Sequence, residues 1–302
     1  MYDLLNGDFE LKMLNKAAPV FVTGAAILWG ILVIFVKNLS VAGLESMEIV
    51  ALRVYGAALI LVIGLLLYNK KWLSIRLKDA WCFVGTGVVS IVFFSYCYFR
   101  NVTVSSVAVS SILMYTSPIW VTLFARVVFG EKIGRKKLAA LVMAFLGCVL
   151  VSRITGGVGR VSMEGLLLGI GSGIGYGLYS IFGRIALEKG YHPMTVSAYT
   201  FLFACVGVLP FIKPVEIWNK MNVAPGLWSW ALYMVIFSTC MSFTLYTIGL
   251  KYMEAGRAAV LATLEPIVTT LVGVVVYKEM LSLVMVCGIA MVLGASILIS
   301  KE

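Results

Sequence analysis

One stretch, Gly256 to Glu279, limits what this chain can fold into more than any other. It is an apolar run of about 20 residues, the length that crosses roughly 30 Å of hydrocarbon as a helix. Near its middle stands an acid, Glu265, followed at once by Pro266. A charged side chain at that depth costs about 3 kcal/mol on insertion scales, so Glu265 is expected to face a cavity or a partner instead of lipid. The proline removes a backbone donor and frees a carbonyl one turn earlier, which a spanning helix tolerates where it lines polar space. The same pattern stands at Ala108 to Glu131: Pro118 precedes Glu131 by the interval that separates Pro266 from Glu279, and Ser117 holds the place of Glu265. Pro118 and Pro266 are therefore candidate helix breaks, and Ser117 and Glu265 candidate binding residues.

The repetition extends over most of the chain. Trp29-Gly30 matches Tyr176-Gly177, Lys37 matches Arg184 and Met47 matches Met194; Tyr98 then matches Tyr246, one residue further on. Ten apolar runs predict ten spans, at about 18–36, 46–68, 81–99, 105–129, 136–152, 164–187, 192–212, 227–249, 256–277 and 281–299. The division is then a segment 1–17, a first copy at 18–152 and a second at 153–302. Five spans per copy is an odd number, so the second copy must enter the membrane upside down. Inverted repeats of this kind place a binding site near the midplane, between the halves.

Composition decides the class. With 61% hydrophobic and 13% charged residues, the chain lacks the polar surface of a soluble domain. A net charge of +10 would suggest nucleic acid in a soluble chain, but here the basic residues cluster in short loops. Fifteen lysines and arginines fall on the side that carries both termini and seven on the other. The positive-inside bias then predicts a multi-pass protein of the cell membrane with both termini cytoplasmic and no nucleic-acid partner. Residues 1–17 lack the basic start and cleavage site of a signal peptide. Leu5, Phe9 and Met13 share a helical face that could lie on the membrane surface. The six cysteines all fall in apolar runs without metal-site spacing, so no metal and no other cofactor is expected. No His/Asp/Cys constellation suggests an enzyme, and no catalytic residue is assigned.

Among the remaining candidates, Arg53 sits about two turns below the far surface and could pair with Glu265 or hold a substrate carboxylate. Glu265 itself could be half of a structural ion pair, a proton carrier or a cation site. Trp29, Tyr98, Tyr115, Tyr176, Tyr179 and Tyr246 lie away from most span ends; as a set they could line a cavity and offer cation–π contacts, although each alone is compatible with ordinary core. The run GIGSGIGYG does not satisfy GxGxxG and has no strand before it. Its residues Gly169, Gly173 and Gly177 form a small-residue face for close helix packing, and Gly173 is a candidate gating position. GEKIGRK at Gly130 is no Walker A motif, so ATP is not expected to supply energy. Arg126 is expected to snorkel, His192 to have no chemical role, and the sequon Asn101-Val102-Thr103 to lie too near the membrane for glycosylation.

With ten spans in a five-plus-five inverted repeat, Leu264-Glu265-Pro266, the proline-to-glutamate spacing in both halves and Trp29-Gly30, the chain resembles the EamA-type branch of the drug/metabolite transporter superfamily over about residues 18–300. The resemblance implies an all-α polytopic membrane protein. A central cavity would be lined by spans 1 to 4 and 6 to 9, with spans 5 and 10 peripheral. It further implies export or exchange of small metabolites. Ser117 leaves one deep carboxylate where a symmetric pair would have two. The leading expectation is a secondary transporter that alternates access and moves a small zwitterionic or cationic solute such as an amino acid. Proton coupling remains open, the partners are a small-molecule substrate and the lipid bilayer, and the unit is a monomer or homodimer. Multidrug efflux is the alternative within transport, and a non-transporting assembly or flippase component the alternative outside it.

Overall fold

Apolar chain in a bilayer must satisfy its backbone internally, which leaves helices as the solution for runs of this length. The computed structural model describes residues 2–152 and 162–300, and among them every regular element is helical. Arg153, Arg160 and Lys301, three of the basic residues that set the expected orientation, lie outside the described residues, as does the first residue of the second copy. The side chains of residues 1–12, on which the expected surface-lying face rests, do so too.

In the first copy, span 1 is α1 (Tyr2–Gly30) continued by α2 (Leu32–Val41), and span 2 is α3 (Ser46–Tyr68). Span 3 joins α4 (Ala80–Val84) to α5 (Phe93–Val104) through a π-helical stretch, Gly85–Val92. Span 4 is broken into α6 (Val107–Met114) and α7 (Ser117–Phe129), and span 5 is α8 (Arg135–Val151). The second copy follows the same plan. Span 6 is α9 (Met163–Glu188), span 7 is α10 (Pro193–Val208), and a short α11 (Pro214–Met221) precedes span 8. Span 8 joins α12 (Leu227–Val235) to α13 (Ser242–Tyr252) through a second π-helical stretch, Ile236–Met241. Span 9 is broken into α14 (Ala255–Ala262) and α15 (Glu265–Tyr277), and span 10 is α16 (Leu283–Ser300).

Among the described residues, nine of these spans are long and apolar enough to cross a membrane by an 18-residue criterion. The expected tenth, α8, has 17 residues, at the short end of the spanning range of roughly 17–25. Span 3 runs from Leu77 to Val104, longer at both ends than the apolar run 81–99 suggests. The breaks in spans 4 and 9 are where the prolines require them. Pro118 and Pro266 occupy the first turn of α7 and α15, where the missing N–H is one of the unbonded donors in any case. The chain turns just before each.

Spans 5 and 10 lie side by side. Gly147 and Gly288 face each other so closely that a Cβ on either would stand 2.8 Å from the other's carbonyl oxygen. The rest of the interior forms two main apolar clusters. One gathers Ala18, Val22, Ala125, Ala140, Leu250 and Ile299 at the end of the bundle where spans 1 and 9 begin. The other runs along span 2 and joins Leu39, Val54, Phe201, Val208 and Met234 toward the opposite end. At that opposite end Lys220 of α11 donates to both oxygens of Glu48, at 3.0 and 2.8 Å, and so ties the short helix to the start of α3. All six cysteines are free thiols.

Candidate functional site

The two copies meet along a slit near the middle of the spans. Trp29 at the end of α1 reaches into it from the first copy, and Tyr176, Tyr179 and Tyr246 from α9 and α13 of the second. Their rings interlock with Phe243: Trp29 lies 5.2 Å from both Phe243 and Tyr246 and 6.3 Å from Tyr176, and Tyr179 lies 5.1 Å from Phe243. Two of the three tyrosine hydroxyls are bonded sideways into the wall. Tyr179 Oη and Thr247 Oγ1 are 2.7 Å apart, as are Tyr246 Oη and Ser180 Oγ. Buried phenols need such partners, and the bonds fix the ring planes.

The third tyrosine holds the acid. Tyr176 Oη donates to Glu265 Oε2 at 2.8 Å. Glu265 is the first residue of α15, placed by the turn that Pro266 forces, and Thr263 Oγ1 donates to Val260 O at 2.6 Å inside that turn. Span 1 packs against this point through Gly30. A Cβ there would strike the Val268 side chain and stand 2.9 Å from Glu265 O, and Thr269 Oγ1 donates to Gly30 O at 3.2 Å. The Trp29-Gly30 pair of the sequence thus has two separate tasks: a ring for the slit, and an absent side chain that admits span 9.

Arg53 reaches the slit from α3 and donates from Nε to Thr239 Oγ1 at 3.2 Å. Thr239 belongs to the π-helical stretch of span 8 and donates its own hydroxyl proton to Met234 O, five residues back, at 3.2 Å. The π stretch therefore supplies the hydroxyl that holds the arginine. Arg53 and Glu265 form no ion pair with each other. The two charged groups are each held by a neutral hydroxyl, which differs from the pairing that their depths suggest.

The glycine face of span 6 packs on the break of span 4. A Cβ on Gly173 would stand 2.5 Å from Thr116 Oγ1 and 2.7 Å from Leu113 O, and one on Gly177 would stand 2.8 Å from Val121 Cγ2. Ser117, at the start of α7, lines the slit opposite Tyr176 and Gly177. Two of the expected aromatics do not line it. Tyr98 Oη lies 3.2 Å from Ser111 Oγ, beside Phe94, and Tyr115 packs with Ile267, Cys148 and Val292 on the side of spans 5 and 10. His192 stacks on Trp72 at 3.6 Å and accepts the Met194 amide at the start of α10, a structural role. Phe243, Ser90 and Thr239 belong to the site but carry no signal in the sequence. The slit is narrow: about 60 Å³ is open to the centre of a water molecule. At ~10–15 Å³ per water, that is room for a few waters or a small solute.

The sequence pattern described as the EamA-like transporter family matches this chain twice, at residues 16–153 and 163–301. An uncharacterized transporter of Archaeoglobus fulgidus is 26% identical over 278 residues, 91% of this chain and 95% of its own length. The uncharacterized inner membrane transporter YicL of Salmonella typhimurium is 24% identical over 92% of this chain and 93% of its own. In Bacillus subtilis the uncharacterized transporter YwfM is 26% identical over 82% of this chain and 83% of its own. A solved crystal structure superposes with a TM-score of 0.78 at 18% identity, covering 93% of this chain and 96% of that one, which is a likeness of fold.

Proposed function

The chain belongs to the EamA-like transporter family, a multi-pass membrane protein whose business is transport, and on that premise we propose that it is a secondary transporter of small zwitterionic solutes such as amino acids. The observation that carries the reading is the state of the two charges. Arg53 lines the slit between the repeats and Glu265 stands against its wall, bonded to Tyr176; each is held by a hydroxyl, Thr239 or Tyr176, instead of being spent on the other. A zwitterion supplies the missing partner to both: its carboxylate takes the guanidinium, whose planar donors suit it, and its ammonium takes the carboxylate. The ring of Trp29 and the tyrosines receives the remaining side chain.

The direction is export or exchange, with both termini in the cytoplasm and Glu265 as proton carrier where the cycle is coupled to a gradient. The 15 to 7 distribution of basic residues supports the orientation. A second reading, efflux of amphipathic cations, is favoured by the aromatic walls alone, with Glu265 as the counter-charge.

Proteoliposomes loaded with a panel of amino acids, amines and cationic dyes, with and without a pH gradient, test both. Arg53→Gln should abolish movement of zwitterions and spare amines, and Glu265→Gln should weaken both and remove any dependence on the gradient. Transport of dyes that survives Arg53→Gln, with no amino-acid movement by the unaltered protein, would establish the second reading in place of the first.

A further inference from the structure

Glu131 follows α7 at the fixed interval from Pro118 and takes no part in the slit. The residue is 8% exposed, and its carboxylate accepts three hydrogen bonds. Lys137 Nζ donates to Oε2 at 2.7 Å, the Ala255 amide to Oε1 at 2.7 Å and the Gly256 amide to Oε2 at 3.2 Å. Lys137, itself 1% exposed, also donates to Glu254 Oε2 at 2.9 Å. A carboxylate of the first copy therefore caps the first two amides of α14, a half-helix of the second copy. Those amides are among the donors that a helix leaves without an internal partner, and the helix dipole favours a negative charge there.

The fit is tight. A Cβ on Gly256 would stand 2.6 Å from Lys137 Cε, 2.9 Å from its Nζ and 3.1 Å from Thr122 Oγ1, a buried hydroxyl that has no hydrogen-bond partner. The cluster lies where span 4 ends and span 9 begins, and these are the two broken spans that carry Ser117, which lines the slit, and Glu265, which is bonded to Tyr176 of its wall. A solute leaving the slit toward this end must pass spans whose tips are tied together here.

We propose that Glu131 is a latch on this end of the pathway: it holds α14 while the end is shut and releases the Ala255 and Gly256 amides each time it opens. The proposal rests on the transport reading. Met285 stands at the position of the second copy that corresponds to Lys137. While it is formed, the latch favours the arrangement in which this end is closed.

Hydrogen–deuterium exchange of the full-length protein in lipid nanodiscs tests the latch without any solute. Glu131→Gln keeps the shape but loses the charge-assisted bonds, so the amides of Ala255–Ala262 should exchange about tenfold faster while those of Val107–Met114 are unchanged. Lys137→Met, which imports the residue found at the equivalent place in the second copy, should move the same peptide in the same direction by less. Unchanged exchange at Ala255–Ala262 in Glu131→Gln would overturn the proposal. So would a rise spread evenly over all spans, which would make Glu131 a prop of the whole bundle; should Glu131→Gln fail to fold, Glu131→Asp is read by the same criteria. Faster exchange confined to α14 in a protein that moves no solute would keep the latch and remove the transport reading, and unchanged exchange with intact transport would do the reverse.

Discussion

The half-helices α6 and α14 are the same element of the two copies, eight residues each before the broken turn of spans 4 and 9. Yet seven residues of α14 are buried, and only Ser110 and Met114 of α6. The tips differ in the same sense. The start of α14 is capped by a buried carboxylate braced by a lysine, whereas α6 is capped by the hydroxyl of Ser106, which accepts the Val109 amide at 3.2 Å. One sequence plan has thus produced a sealed end and a lightly packed end within one molecule. The copies are alike in sequence pattern and unlike in burial, the inequality that the proposed alternation between two sides would show at one stage.

The largest effect should come from the sealed end. Glu131→Ala leaves Lys137 buried with only Glu254, and losing one partner of a buried ionic cluster costs about 3–5 kcal/mol. Ser106→Ala at the other end removes a neutral cap, a loss of about 1 kcal/mol. Thermal unfolding of the two variants in the same detergent checks the contrast, and equal shifts would mean that the two ends are held with equal strength.

A smaller effect is expected where α6 rests on span 6. Gly173→Leu drives a side chain into Thr116 and Leu113, and overpacking of this kind costs about 1–3 kcal/mol. Because the wedge acts on the lightly packed half-helix, it should lower the transport rate more than substrate binding, which a binding isotherm measured beside the rate will separate. A parallel fall in both would show that α6 is as firmly seated as α14.

The smallest effect concerns the exposed face near α11. Lys213 donates to Glu216 at 2.9 Å and holds its carboxyl below the ordinary value of 4.5. A depressed folded-state value means that the pair's contribution is present above the unfolded value and is lost as pH falls through the folded one. Melting temperature followed over about pH 3 to 6 should therefore decline slightly more on the acid side in the unaltered protein than in Lys213→Gln. The absence of any difference would leave this face without a part in holding the lightly packed end.

Much of this architecture could be read from the residues, and the reasons are local. Pro118 and Pro266 fix the breaks because a proline's missing donor acts wherever it stands, and the two copies reinforce each other. Glu265 stands out because an acid in hydrocarbon needs a reason to be there, and the structure sets it against Tyr176. What escaped depends on residues far apart in the chain. Lys137 reads as one more base in the loop Lys132–Lys137, and its bond to Glu254, 117 positions away, has no trace in that loop. Thr239 reads as an ordinary small residue, because nothing in Ile236–Met241 announces a π turn, and without that turn its hydroxyl would not meet Arg53. Tyr98 and Tyr115 failed as lining residues because a tyrosine in mid-span gives its depth but not its azimuth.

The π-helical stretches tie the two copies together in a further way. Gly85–Val92 in span 3, moved forward by the spacing that relates Tyr98 to Tyr246, falls across Ile236–Met241 in span 8. A wide turn of this kind holds one residue more than the α-helix around it, and it weakens a helix unless something else makes use of it. Its presence at matching places makes it part of the plan that the two copies share. In the second copy the stretch presents Thr239 to Arg53, and in the first it presents Thr86 to the hydroxyl of Thr200, so one irregularity serves two different contacts.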